Sequence, residues 1–576
     1  MLRSVVTVVV VAVVSGVSAA DLDWWKIGPV YQIYPASFRD SNGDGWGDLN
    51  GITHMADYLQ DIGVGAIWLS PIYPSPMRDN GYDASTYTDV NPKFGTLADA
   101  EKLIKAYHDR GIKVILDFVP NHTSNESQWF IDSVNSAHGK ADWYVWKQPK
   151  GYEGDDKSKP IPPNNWRSTF GGSAWKYVEA RQQFYYHMFG DYQPDLNYDN
   201  PEVLEAMKGA IRFWLEKGID GFRMDAVPYL KEINYDKNEP PTCSDESDYN
   251  CLDHIYTMNL QGTHDVLNAF DEVLREQKFV VNGVRAMWVE AYNNITELMT
   301  YYGNVSSPFN FQYISYLNKN SNAAVFQKLT TDYMNALKGR WPNWVVGNHD
   351  NSRVGTRMGS DLIDTMTILT QLLPGTSITY YGEELGMTDT LIQPGQRQDW
   401  ASNPPRDPER TPMQWNSSTN AGFSNSSHLY LPVNPNYFEV NVATESKAPS
   451  HLDLYKKVVK LHKEHVGTSQ DKFDTATYQD WVFAFQRPGL LVVSNLNNIE
   501  TTMSIDQLKL PTTPDSLTVE LASLNANITE GTSIKSNTNI TLTPRSTIVF
   551  NTNSAATFGV STMLIPMVCC LRYLWN

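Results

Sequence analysis

The chain has 576 residues with 46 Lys and Arg against 64 Asp and Glu, a formal net charge of −18. That balance excludes a phosphate-backbone binder, which concentrates positive charge to displace counterions. A composition of 41% hydrophobic and 19% charged residues excludes both a disordered chain and a multi-span membrane protein.

Residues 1–20 read as a secretory signal peptide: Arg3, an apolar run from Val5 to Val14, then small residues ending Ser18-Ala19-Ala20, which suit cleavage before Asp21. The apolar run falls short of the ~18 residues a membrane span needs, so the mature chain is expected in an oxidising compartment. From about 25 to 385, short Val/Ile/Tyr-rich runs alternate with helical-period stretches such as 98–110 and 201–217. The runs cover 30–38, 65–71, 112–119, 221–227, 287–290, 309–313, 344–347 and 377–381. Eight strand candidates with interleaved helices predict the α/β class and a (β/α)₈ TIM barrel, with chemistry at the C-terminal strand ends. The barrel is expected over 21–120 and 201–470. Between its third and fourth strands, the Trp-, Pro-, Gly- and Tyr-rich segment 121–200 reads as an inserted subdomain beside the active face. Residues 471–553 change to short alternating strands, expected as a C-terminal antiparallel β domain.

Of four cysteines, Cys243 and Cys251 sit in an acidic, Pro-rich loop, near enough to close a small disulfide ring. Two thiols without paired histidines supply too few ligands for zinc. Small residues Asn553 to Ala556 precede a mostly apolar tail, so 554–576 resembles a lipid-anchor (GPI) signal that tethers the protein to a membrane, a secreted form being the alternative. Glycosylation sequons stand at Asn125, Asn294, Asn304, Asn416, Asn425, Asn527 and Asn539.

Three acids end predicted strands: Asp225 in GFRMDAV, Glu290 in MWVEAY and Asp350 in VVGNHD. Glycosidic cleavage needs such a set, because one acid protonates the leaving oxygen while another attacks or stabilises an oxocarbenium-like carbon. Arg223 shares a strand face with Asp225 and is expected to lower its pKa. The apolar approach Met287-Trp288-Val289 favours a raised pKa at Glu290, as a general acid requires. His122 in DFVPNH and His349 in GNHD are candidate donors to sugar hydroxyls. Asp117, in the same DFVPNH motif and inside the strand run, suits a structural role as well as a functional one. Asp40-Ser41-Asn42-Gly43-Asp44-Gly45 begins like an EF-hand, but Gly51 at its twelfth position excludes a true one.

Together these segments resemble glycoside hydrolase family 13, the α-amylase family, and within it the insect maltase (α-glucosidase) group of the oligo-1,6-glucosidase-type branch. DFVPNH, QPDLN, GFRMDAV, the Glu of WVEAY, GNHD, YYGEE and RTPMQW occur in family order between residues 117 and 415. The resemblance implies Asp225 as nucleophile, Glu290 as acid/base and Asp350 as the acid that grips and distorts the sugar. It implies that Tyr82, Asp83, His122, Arg223 and His349 line the pocket for a terminal glucose. An arginine of RDPERTPMQW, Arg410 in preference to Arg406, would pair with Asp83 and close the pocket's inner end. Ala226 after the nucleophile resembles the α-1,4-preferring members, so maltose, sucrose and short maltooligosaccharides are the expected substrates, cleaved through a glucosyl-Asp225 intermediate. Asp40, Asn42, Asp44, Trp46 and Asp48 are implied ligands of a structural Ca²⁺, and no organic cofactor is expected. The alternative class, a non-catalytic membrane partner like the amino-acid transporter heavy chains of the family, predicts eroded catalytic acids. This sequence keeps all three.

Overall fold

In the computed structural model of the protein, the described residues are 22–154, 156–281, 283–467 and 472–553. The predicted signal peptide and lipid-anchor signal lie outside them. Eight parallel strands form one curled sheet: β1 (Val30–Ile33), β2 (Ala66–Leu69), β3 (Lys113–Phe118), β4 (Gly221–Met224), β5 (Ala286–Val289), β6 (Ser306–Pro308), β7 (Asn343–Val345) and β8 (Thr376–Tyr380). Their order is β6-β5-β4-β3-β2-β1-β8-β7. This is the expected (β/α)₈ barrel. Almost every strand residue is buried, as parallel strands covered on both faces require. Across the seam between β6 and β7, the Asn343 side chain links the staves: its Nδ2 donates to Pro308 O (2.7 Å) and its Oδ1 accepts from Asn310 N (2.8 Å).

Two strand boundaries differ from expectation. The first run stops at Ile33, because Pro35 starts a helical turn, Pro35–Phe38, in which its fixed φ and missing N–H are tolerated. The sixth strand is Ser306–Pro308, and the chain helps form a helix at Gln312–Tyr316 where 309–313 was expected to be strand. Phe309 alternates with Phe311 like a strand, but both rings fill the barrel interior. Phe309 stacks between Trp68 and Trp288, with centroids 5.2 and 5.5 Å away.

The interior changes character along the strands. Val30, Ala66 and Ile115 belong to an apolar plug, whereas Gln32, Asp117 and Arg223, toward the C-terminal ends, are buried and polar. Because side chains alternate with period two, Val30 and Gln32 share a face, as do Ile115 and Asp117. Polar groups are thereby concentrated at one end of the barrel. The outer helices start on local signals: Thr96 and Asp99 make a reciprocal capping box for Leu97–His108, and Asn200 caps Pro201–Glu216 with proline in its first turn.

Between β3 and β4 the chain builds a three-stranded antiparallel sheet, a hairpin and an aromatic core around Trp166, Trp175 and Tyr186. A bridge between His122 and Asp195 ties the two ends of this insertion together. The C-terminal region forms a six-stranded antiparallel sheet. Thr547 Oγ1 of that sheet meets Thr365 Oγ1 (2.8 Å) on the barrel helix Ile363–Leu372. Cys243 and Cys251 form the expected disulfide, with Cα atoms 5.0 Å apart. Among the described residues, no helix is long and apolar enough to cross a membrane.

Candidate active site

Arg223, delivered by β4 into the polar end of the barrel, organises the acids. Its Nη1 donates to Asp117 Oδ1 (2.8 Å) and to Asp225 Oδ1 (2.6 Å), and its Nη2 lies 2.7 Å from Glu290 Oε1. Asp117 also accepts from Trp68 Nε1 (3.1 Å) and Tyr82 OH (3.0 Å). It holds Arg223 from behind and is absent from the cavity lining, which is a positioning role. After Asp225 the chain turns sharply, with Ala226 left-handed at φ 50°, ψ 31°. That conformation costs a non-glycine residue roughly 1–2 kcal/mol, and here it aims the Ala226 N–H at Glu290 Oε2 (3.0 Å).

The electrostatics correct one expectation. Burial pushes the Asp225 carboxyl well above its usual range, and nearby Glu290, Asp117 and Asp350 add to the rise. Arg223 opposes this, as its charge must, without outweighing it. Asp117 is likewise pushed up to about 6 by burial, against the pull of Arg223.

Asp350 follows β7 and has the opposite environment. Its Oδ1 accepts from Arg406 Nη1 (2.9 Å) and Arg410 Nη2 (3.0 Å), while Oδ2 lies 3.3 Å from His349 Nε2. Burial alone would raise it, but His349, Arg406 and Arg410 together hold the carboxyl well below the usual range. Burial also keeps His349 neutral, so the arginines supply the standing charge beside Asp350. Gln32 Nε2 is 2.8 Å from His349 Nδ1. An amide N–H donating there leaves the ring proton on Nε2, toward Asp350. Tyr82 stacks flat on the same ring, at 5.2 Å and 3°.

The expected partner of the RTPMQW-region arginine was wrong on both sides. Asp83 is fully buried and spends its carboxylate on Ser75 Oγ (2.7 Å), Arg78 N (3.0 Å) and Asp79 N (3.2 Å). It fastens the turn that presents Asp79, and burial pushes it up to about 6. Asp79 is the acid in the cavity wall: Oδ1 accepts from Arg406 Nη2 (2.8 Å) and Oδ2 from Gln193 Nε2 (2.9 Å). Arg406, not Arg410, makes this pair, while Arg410 Nε is committed to His349 O (2.6 Å). Asp399 steadies Arg406 through Nε (2.8 Å). His122, made neutral by burial and lowered to about 4, sits with Nε2 3.1 Å from Tyr82 O and 3.1 Å from Gln193 Nε2.

One cavity of about 800 Å³ brings together Asp225, Glu290, Asp350, Tyr82, His122, His349, Asp79 and Arg406. Its far wall contains Phe170 and Phe189 from the insertion and Trp400 from the segment before Arg406. The sequence reading missed Asp79, Gln193, Phe170, Phe189, Asp399 and Trp400. Gln193 opens the QPDLN motif and the aromatic richness of 121–200 hinted at Phe170 and Phe189, whereas Asp79, Asp399 and Trp400 carried no signal.

The sequence matches the α-amylase catalytic domain over residues 32–471. The chain belongs to the α-amylase family. It is 43% identical to Maltase 1 of Drosophila virilis over 528 residues, spanning 87% of this chain and 82% of that one. It is 38% identical to an α-glucosidase of Culex pipiens over 561 residues, 94% and 93% of the two chains. Among solved structures it resembles the α-glucosyl transfer enzyme XgtA, with a TM-score of 0.79, 29% identity, and coverage of 92% of this chain and 99% of that one.

Arg406 pairs with three acids at once, Asp79, Asp350 and Asp399. Arg406→Ala leaves Asp79, Asp350 and Asp399 without their shared guanidinium, so it is expected to lower the unfolding free energy by about 3–5 kcal/mol. Denaturant titration checks this, and a loss under about 1 kcal/mol would mean that solvent replaces the pairing.

The 40–48 loop is built as a chain of turns. Asp40 accepts from the backbone of Asn42, Gly43 and Gly45, Asn42 from Asp44 N, and Asp44 from Trp46 N. Asp48 accepts from Ser41 and Gly51 N. Alternating carboxylate and amide oxygens are the right donor type for a hard cation, although no group of three His, Cys, Asp or Glu side chains is gathered for a metal among the described residues. Of the sequon asparagines, Asn294, Asn304, Asn425, Asn527 and Asn539 are exposed, whereas Asn125 and Asn416 are half-buried.

Proposed function

We propose that this chain is an extracellular, exo-acting, retaining α-glucosidase that removes terminal α-linked glucose from sucrose and from the α-1,4-linked maltose and short maltooligosaccharides. The observation that carries the proposal is one buried guanidinium, Arg223, holding Asp225 and Glu290 through adjacent nitrogens in the same cavity as Asp350. Similarity to maltases and α-glucosidases across most of the chain supports the same conclusion.

In this mechanism Asp225 attacks the anomeric carbon as Glu290 gives its proton to the departing glycosidic oxygen, forming a β-glucosyl ester. Glu290 then takes a proton from water, which displaces Asp225 and restores the α configuration. Asp350, kept anionic by its arginines, accepts hydrogen bonds from the sugar hydroxyls. The Asp79–Arg406 pair walls the inner end, which favours one terminal glucose over an internal cut. The non-catalytic alternative finds no support in a site whose three acids are all in place.

The test is glucose release by the purified protein from maltose, sucrose, isomaltose, trehalose and starch. Maltose and sucrose are expected to be the good substrates, and an enzyme that cleaves starch internally would contradict the exo assignment. The same proposal includes a structural calcium ion held by Asp40, Asn42, Asp44, Trp46 and Asp48. Chelation by EDTA should then lower the thermal midpoint and calcium should restore it; an unchanged midpoint removes the ion. It also includes a lipid anchor added at the C-terminus, for which release from cells by a phosphatidylinositol-specific phospholipase is the check.

A further inference from the structure

A second groove, of about 480 Å³, lies outside the active cavity and is lined by Gln396, Gln398, Asn420, His428, Tyr430 and Tyr437 with small and apolar neighbours. Its size falls within the ~300–1,000 Å³ of ordinary ligand sites. No Asp, Glu, Lys or Arg is among its lining residues, in a chain where 19% of residues are charged.

Its aromatic parts are firmly set. Tyr430 OH donates to Asn80 Oδ1 (2.7 Å), and its ring lies 4.1 Å from that of Trp46. Tyr437 stacks on Phe438 at 4.2 Å and 29°, and Phe438 is 62% exposed. Gln398 is fixed by its backbone, whose N–H donates to Asp407 Oδ2 (2.9 Å). Amides, hydroxyls and ring faces without formal charge suit a ligand that is itself neutral and rich in hydroxyl groups. A nucleotide or an acidic peptide would find no counter-charge here.

The groove and the active cavity share a wall. Gln396 and Gln398 line the groove, while Arg397, Trp400 and Arg406 of the same segment line the cavity. We propose that this groove is a second carbohydrate site, which holds a neutral α-glucan chain beside the catalytic pocket. The proposal rests on the glucosidase assignment only for the choice of sugar to offer.

The test is a binding isotherm of maltoheptaose on the full secreted protein carrying Asp225→Asn to prevent turnover, with and without Tyr437→Ala or Gln398→Ala. Two sites are expected, and each groove substitution should weaken one of them roughly threefold to tenfold, the value of one aromatic or polar contact. Tyr437→Phe, which keeps the ring, should retain binding. In the otherwise native enzyme the groove variants should hydrolyse maltose with unchanged kcat/KM, which reports an intact fold. A one-site isotherm, or two sites indifferent to all groove variants, overturns the proposal. So does a second site that emerges only after enzymatic removal of N-glycans, because the groove would then hold the protein's own sugar from a neighbouring sequon such as Asn425. Loss of the glucosidase assignment would be seen separately, as native protein that leaves maltose intact.

Discussion

Asp225→Asn is expected to reduce glucose release from maltose by roughly 10⁴-fold or more, the scale on which removal of a covalent nucleophile acts. The amide keeps the volume and one oxygen for Arg223 Nη1, which lies 2.6 Å from Oδ1 in the native chain, so the variant should fold. What disappears is the negative charge that attacks the anomeric carbon. Two measurements separate this from a general loss of the pocket: the variant should still bind maltose, and it should fail to form the covalent adduct seen by mass spectrometry when native enzyme meets a ring-fluorinated glucosyl fluoride, whose good leaving group lets the ester form faster than water breaks it. Residual activity within about tenfold of native would remove Asp225 from the role. Because burial raises the Asp225 carboxyl well above its usual range, native kcat/KM should fall on the acid side as this group takes up a proton.

Glu290→Gln is expected to cost about 10²–10⁴-fold, with a dependence on leaving group that Asp225→Asn lacks. A sugar leaving group needs the proton from Glu290, whereas a nitrophenolate does not. The loss should therefore be far smaller for glucosyl transfer from 4-nitrophenyl glucoside, leaving the second step rate-limiting. Azide needs no general base and should rescue a Glu290→Ala variant by displacing Asp225 from the β-glucosyl ester, giving an α-glucosyl azide. A β-glucosyl azide would show that no intermediate on Asp225 precedes the attack. The variant also loses the charged acceptor for the Ala226 N–H, now 3.0 Å from Oε2, so part of its effect will come through the turn that carries the nucleophile.

The parts of this site legible in the sequence are those that strands deliver. Asp225, Glu290 and Asp350 each follow a short buried run, and period-two alternation alone places Arg223 on the face that meets Asp225. Loops offered no such rule. Asp79 and Asp83 lie four residues apart in one turn, and the choice between them is made by the Ser75 hydroxyl and two backbone N–H groups that consume the Asp83 carboxylate. Similarly, Phe309 and Phe311 alternate like strand residues, but Phe309 fills the space between Trp68 and Trp288, and Phe311 stacks on it. The sign of the Asp225 shift depended on burial, which no neighbouring arginine in the sequence reveals.

The wall made by Asp79 and Arg406 bears on the order of events as well as on what is cut. On the proposed exo reading the pocket has one door, and the sugar beyond the cleaved bond stands in it. That half must depart before water can reach the glucosyl ester, and the freed glucose, seated deepest, leaves last. Glucose should therefore compete with incoming substrate, and any second sugar that reaches the doorway ahead of water will be glucosylated instead. On that reading each turnover would empty the pocket completely, and a long chain would be picked up anew for every residue it loses.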